Sequence, residues 1–91
     1  MEMTGYFAIS RAGHDKDSVY IIVGSDAKYF FLCDGKLKKL AKPKKKSKKH
    51  IQLTTEKVGE ELYAKLVNRE KVYDEEIKYA LRIYNETHRK F

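Results

Sequence analysis

Val19-Tyr-Ile-Ile-Val-Gly-Ser-Asp-Ala-Lys-Tyr-Phe-Phe-Leu-Cys-Asp-Gly35 holds two β-forming runs and two turn signals. Val19 to Val23 is β-branched and aromatic and has no helical spacing. Lys28 to Cys33 is a run of the same kind. Gly24 to Ala27 reads as the turn between them, and Asp34-Gly35 is a strong hairpin signal after the second. Working outward, Tyr6 to Ser10 reads as an earlier strand. A fourth strand is expected around Lys36 to Leu40 and a fifth over His50 to Leu53. Five short strands joined by tight turns point to a small, strongly bent barrel, because a flat sheet of that size leaves exposed edges.

The pattern changes after Leu53. Val58, Leu62, Tyr63 and Leu66 have helical spacing, with Thr55 as candidate N-cap and Glu56 in the first turn. Asn68 to Lys71 reads as a break. Asp74 is the candidate cap of a second helix, Glu75 and Glu76 suit its N-terminal dipole, and Arg89 and Lys90 suit its C-terminal end. Ile77, Ala80, Leu81 and Tyr84 share one face. The two apolar stripes have three destinations open to them: each other, the barrel, or a second copy of the chain in a homodimer. The expected class is therefore mainly β with C-terminal α, a barrel over 1–54 and a helical appendage over 55–91.

Charge is unevenly placed along the 91 residues. Residues 1–53 carry twelve Lys/Arg and five Asp/Glu, a net of +7, whereas residues 54–91 carry eight of each. The excess is concentrated in Lys36, Lys38, Lys39, Lys42, Lys44, Lys45, Lys46, Lys48 and Lys49, uninterrupted by any acid. Charges this dense repel one another unless an anion sits nearby, and a polyphosphate backbone is the commonest such anion. The bland readings are a solvated face or a localisation signal. Pro43 stiffens the run, Asp34-Gly35 pins its start, and Leu37, Leu40, Ile51 and Leu53 are expected to tether its ends, which favours a basic loop of fixed shape. His50, at the end of the run, is a candidate phosphate contact or strand cap.

Arg11-Ala-Gly-His-Asp-Lys-Asp-Ser18 is a second polar cluster, in which Arg11, His14 and Lys16 are candidate RNA contacts. A catalytic pairing of His14 with Asp15 is disfavoured, because adjacent residues rarely reach that geometry and no nucleophile accompanies them. Gly13 is expected to supply an unusual φ. Of the aromatic residues, Tyr29 and Phe31 share one face of their strand and Phe30 the other, so Phe30 or Phe31 is expected in the core. Cys33, the lone cysteine, ends an apolar run and reads as a small core residue, which leaves no disulfide and no cysteine-ligated zinc. The three histidines lack metal-ligand spacing, His88 reads as solvated, and no cofactor or catalytic site is expected. Glu2 and the lack of a long apolar stretch argue against a secretory signal, and the longest apolar run is far short of the ~20 residues of a membrane span. A soluble, cytoplasmic chain with no membrane partner is expected.

Gly5-Tyr-Phe-Ala-Ile-Ser-Arg-Ala-Gly-His-Asp-Lys16, followed by Val19 to Val23, resembles a KOW motif. Asp34-Gly-Lys-Leu-Lys-Lys-Leu-Ala-Lys-Pro-Lys-Lys-Lys46, followed by Lys49-His50, resembles the second signature of small bacterial KOW-domain RNA-binding proteins. These are similar to the archaeal and eukaryotic large-subunit ribosomal protein fourteen. The resemblance covers about residues 3–54. It implies an SH3-like barrel that binds ribosomal or other structured RNA, as part of or beside the large ribosomal subunit, without catalysis. Asp17 stands where the KOW pattern usually has glycine. Asp tolerates a left-handed backbone better than most residues, at some cost, which leaves the loop open to a different shape. KOW domains also occur in transcription factors, so a module that binds a protein partner is the rival expectation.

Overall fold

The computed structural model describes residues 3–88. Strands β1 (Tyr6–Ser10), β2 (Val19–Ser25), β3 (Tyr29–Cys33), β4 (Lys44–Ser47) and β5 (Ile51–Lys57) precede helices α1 (Glu60–Val67) and α2 (Asp74–Thr87). The strands form one antiparallel sheet in the order β4-β3-β2-β1-β5. The chain is thus mainly β with C-terminal helices. Among the described residues no ladder joins β4 to β5, and the sheet is open. The register shifts between Tyr6 and Ala8 and again between Ile22 and Gly24. Such irregularities bend a strand and increase its twist.

Both faces of the sheet are buried. Phe7, Ile21 and Cys33 on one face pack with Val58 and with Ile77, Leu81 and Tyr84 of α2. Leu62, Tyr63 and Leu66 of α1 join the same cluster. The helical stripes are therefore spent on the sheet, and the Phe7 and Tyr84 rings lie 4.3 Å apart. Burial pushes the Cys33 thiol up to about 12, with help from Asp74 and Asp34. The other face holds Ala8, Tyr20, Ile22, Phe30 and Leu32, with Met3 and Ile51 packed on them. Among the described residues neither α1 nor α2 contributes to this second cluster. Phe30 is buried there, whereas Phe31 is half-buried.

Several expected boundaries are corrected. Lys36 to Leu40 is a turn, and the fourth strand lies later, inside the lysine run. The cause is local: Asp34 Oδ1 accepts the backbone N–H of Lys36 at 2.9 Å and of Lys38 at 2.8 Å. Lys38 O accepts the N–H of both Asp34 and Gly35. Side-chain–backbone bonds of this kind compete with a strand ladder. Pro43, which has no N–H to donate, sits immediately before β4. His50 belongs to a 3₁₀ turn over Lys48–His50, and β5 runs on to Lys57, which pairs with Tyr6. Thr55 and Glu56 accordingly lie in β5, and Gly59 occupies the N-cap of α1. Val58 is buried between β5 and α1 and is not part of the helix.

The break at Asn68 is present, with Arg69 in a left-handed conformation (φ 58°) at the end of α1. Tyr73, not Asp74, is the N-cap of α2, and the Glu76 carboxylate accepts the Tyr73 N–H at 3.0 Å. Arg89 and Lys90 lie outside the described residues. His88 is not simply solvated: its ring stacks on Tyr84, and its Nε2 lies 2.6 Å from Glu56 Oε1. Of the expected tethers, Leu40 and Ile51 pack on the two clusters, but Leu37 is 86% exposed and Leu53 44%. Among the described residues, no helix is long and apolar enough to cross a membrane.

Candidate nucleic-acid interface

Strand periodicity sorts the lysines of β4. Lys44 lies opposite Leu32 and Lys46 opposite Phe30, while Lys45 lies opposite Phe31. Directly opposed residues share a face, so Lys44 and Lys46 stand on the side of Tyr20, Phe30 and Leu32. An ammonium on that side needs a partner, because burying a lone charge is prohibitive. Asp15, from the β1–β2 loop, supplies it. Lys46 Nζ donates to Asp15 Oδ1 at 2.7 Å and to the Ala12 carbonyl at 2.6 Å. Lys44 Nζ lies 3.4 Å from Asp15 Oδ2. Ser10 Oγ donates to the same carboxylate at 2.9 Å, and Tyr20 Oη at 3.0 Å.

The side chains of Lys46 and Asp15 are 11% and 15% exposed. Burial works against the Asp15 charge, but the bonds from Lys46, Ser10 and Tyr20 outweigh it and hold the carboxyl well below the usual carboxylate range. Burial and the Asp15 carboxylate together push the Tyr20 hydroxyl up to about 12. This cluster joins the two stretches singled out in the sequence, the loop after β1 and the lysine run. It also takes Lys44 and Lys46 out of the set of free cations.

The β1–β2 loop is similarly committed. Gly13 (φ 84°) and Asp17 (φ 74°) are both left-handed, so Asp17 adopts the conformation for which glycine is usually needed. Arg11 Nε donates to Gln52 Oε1 at 2.7 Å, a second guanidinium nitrogen bonds the same oxygen, and a third meets Asp17 at 3.0 Å. Arg11 therefore holds the loop against β5. Asp15 is turned toward the lysine strand, and among the described residues no hydrogen bond links it to His14. His14 and Lys16 are exposed on the loop and form no ion pair among the described residues.

The turn before β4 behaves differently. Lys36, Lys39 and Lys42 are exposed and Lys38 is half-buried. Together with Lys49, they form no ion pair among the described residues. The backbone beneath them is fixed from two sides. Asp34 holds it from within, and Asp74, in the first turn of α2, accepts the Leu40 N–H at 2.8 Å. Gly35 (φ 78°) lies so close to α2 that a Cβ there would fall 2.5 Å from the Asp74 carbonyl oxygen and 2.7 Å from Lys78 Cγ. No side chain fits, and a left-handed backbone already favours glycine.

At the far end of the run, Lys45 Nζ lies 4.3 Å from the Tyr29 ring centroid and Lys48 Nζ 5.1 Å from that of Phe30. These contacts occupy ring faces and leave the ammonium groups open to an anion. Lys49 and His50 are exposed at the 3₁₀ turn.

Two functional side chains had no signal in the one-dimensional pattern: Asp15 as counter-ion of the lysine strand, and Asp74 as anchor of the lysine turn. The alternation inward, outward, inward at Lys44, Lys45 and Lys46 could have been found by placing the fourth strand after Pro43. No group of His, Cys, Asp and Glu suited to a metal ion occurs among the described residues. Comparison with protein-family models and with curated proteins finds no match.

Proposed function

We propose that the chain is an RNA-binding module of the KOW type, with an SH3-like sheet, associated with ribosomal or other structured RNA. The observation that carries the reading is the pinned lysine turn. Lys36, Lys38, Lys39 and Lys42, on a backbone held by Asp34, Gly35 and Asp74, present ammonium groups that form no ion pair among the described residues, as does Lys49 beyond β4. A polyphosphate relieves their mutual repulsion, and a fixed backbone lets them meet a ladder of phosphates without first being ordered. His14, Lys16, Lys45, Lys48 and His50 flank this surface in the reading. The resemblance to KOW-domain proteins points the same way.

Lysine is a point charge and not a planar fork, so the surface positions a backbone and reads few bases. Folded RNA, recognised by the geometry of its phosphates, is the expected partner. The test is the salt dependence of binding to an RNA duplex. With Lys36, Lys38, Lys39, Lys42 and Lys49 each on a phosphate, the log–log slope is expected at about −4 to −5, from a coefficient of about −0.9 per contact on B-DNA. A slope near zero would overturn the electrostatic reading. A protein partner whose binding survives both ribonuclease and neutralisation of these lysines would assign the surface to protein docking.

A further inference from the structure

A groove of about 1030 Å³ lies where the β1–β2 loop, the turn after β3 and α2 meet. Lys36, Lys78 and Arg82 line it, and none of the three forms an ion pair among the described residues. Two of its carboxylates are already engaged: Asp17 with Arg11 at 3.0 Å, and Asp34 with the N–H groups of Lys36 and Lys38. Tyr79 is 59% exposed, and the Arg82 guanidinium lies over one face of its ring, 5.2 Å from the centroid, so two planar groups stand together on the α2 side. Asn85 adds an amide that both donates and accepts, and Glu75 and Glu86 add acceptors.

With four carboxylates beside three cations, this mixture does not suit a dense ladder of phosphates, but Lys36 and Lys78 can hold one. It suits a nucleotide. A phosphate needs cations, a base needs a flat surface, and the edge of a base needs donors and acceptors side by side. We propose that the groove takes one unpaired nucleotide of the bound RNA, with its base on the Tyr79–Arg82 pair and its phosphate against Lys36 and Lys78. The proposal rests on the RNA-binding reading and extends that interface from the lysine turn onto α2. The close packing of Gly35 on α2 fixes the two halves of the site relative to each other.

The experiment is fluorescence anisotropy with three RNAs: a fully paired duplex, the same duplex with a single-nucleotide bulge, and that bulge made abasic. Stacking is worth roughly 1–3 kcal/mol per base by alanine substitution, so the bulged RNA is expected to bind about 10-fold tighter than the duplex. The abasic bulge and the Tyr79→Ala variant are each expected to remove that preference, while Tyr79→Phe keeps it. Tyr79→Ala is expected to leave duplex affinity unchanged, and circular dichroism checks that its fold is intact. If the wild type binds all three RNAs equally, or Tyr79→Ala keeps the preference, the groove proposal fails while the RNA reading stands. If none of the RNAs binds, both fail.

Discussion

Lys44 and Lys46 belong to the same run of charge as Lys36, Lys38, Lys39 and Lys42, yet the two groups differ in what surrounds them. The first pair lies on a strand, turns toward the second apolar cluster and is paired with Asp15, which Ser10 and Tyr20 hold in place. The second group lies on a turn, is exposed apart from the half-buried Lys38, and forms no ion pair among the described residues. The difference teaches that charge density along a chain is not charge density on a surface. A lysine in a strand is assigned to a face by the two-residue period, and on an inward face it becomes a structural group. A lysine on a side-chain-capped turn remains available.

The largest expected effect comes from breaking the inward cluster. Asp15→Ala leaves Lys44 and Lys46 without their partner and is expected to lower stability by about 3 kcal/mol, read by urea denaturation. The same carboxylate makes stability fall in acid. Its folded pKa is lowered, so its contribution is complete above the unfolded value of about 4 and is lost as pH falls toward the folded one. Stability measured from about pH 5 down to about pH 2 should therefore decline less steeply in Asp15→Asn than in the wild type.

Neutralising the outward group should do the reverse. Lys36, Lys38, Lys39 and Lys42 changed together to Gln are expected to weaken binding to an RNA duplex at least about 100-fold at physiological salt. The same variant should keep its stability within about 0.5 kcal/mol. Gly35→Ala probes what holds the turn. It places a Cβ against the Asp74 carbonyl in a left-handed backbone and is expected to destabilise by about 2 kcal/mol, seen as a lowered Tm. The smallest expected effect is that of Asp74→Ala. It leaves the Leu40 N–H without its acceptor, at about 1 kcal/mol, with a modest loss of RNA affinity as the turn loosens.

Much of this arrangement was legible in the sequence. The β-forming runs at Tyr6, Val19 and Lys28 each became a strand, because β-branched and aromatic residues between turn signals leave the backbone little choice. The apolar stripe of Ile77, Ala80, Leu81 and Tyr84 was equally clear, and three of those four are buried on the sheet. The fourth strand was misplaced because its four residues, Lys-Lys-Lys-Ser, carry no hydrophobic alternation. They form a strand because β3 offers an unpaired edge and because inward lysines find Asp15, both of which are tertiary facts. Lysine on an edge strand also discourages pairing with another chain, a role no composition rule separates from RNA contact.

The site was half legible for the same reason. The concentration of lysines after Asp34-Gly35 was plain, but Lys36 to Leu40 was expected as a strand, because Asp-Gly signals a hairpin and the hydrogen bonds from Asp34 that make it a turn leave no mark in the pattern. The engagement of Arg11 with Gln52, forty-one residues away, and of Asp74 with Leu40, thirty-four away, depends on how the chain folds back on itself.

The division of the lysines is tested most directly by comparing salt slopes for binding to one RNA duplex. One variant changes Lys36, Lys38, Lys39 and Lys42 to Gln. The other removes the inward cluster without leaving an orphan charge, as Asp15→Asn with Lys44→Met and Lys46→Met. The first is expected to reduce the log–log slope from about −4 to −5 to about −1, and the second to leave it unchanged. A slope that survives the first variant and collapses in the second would contradict the division.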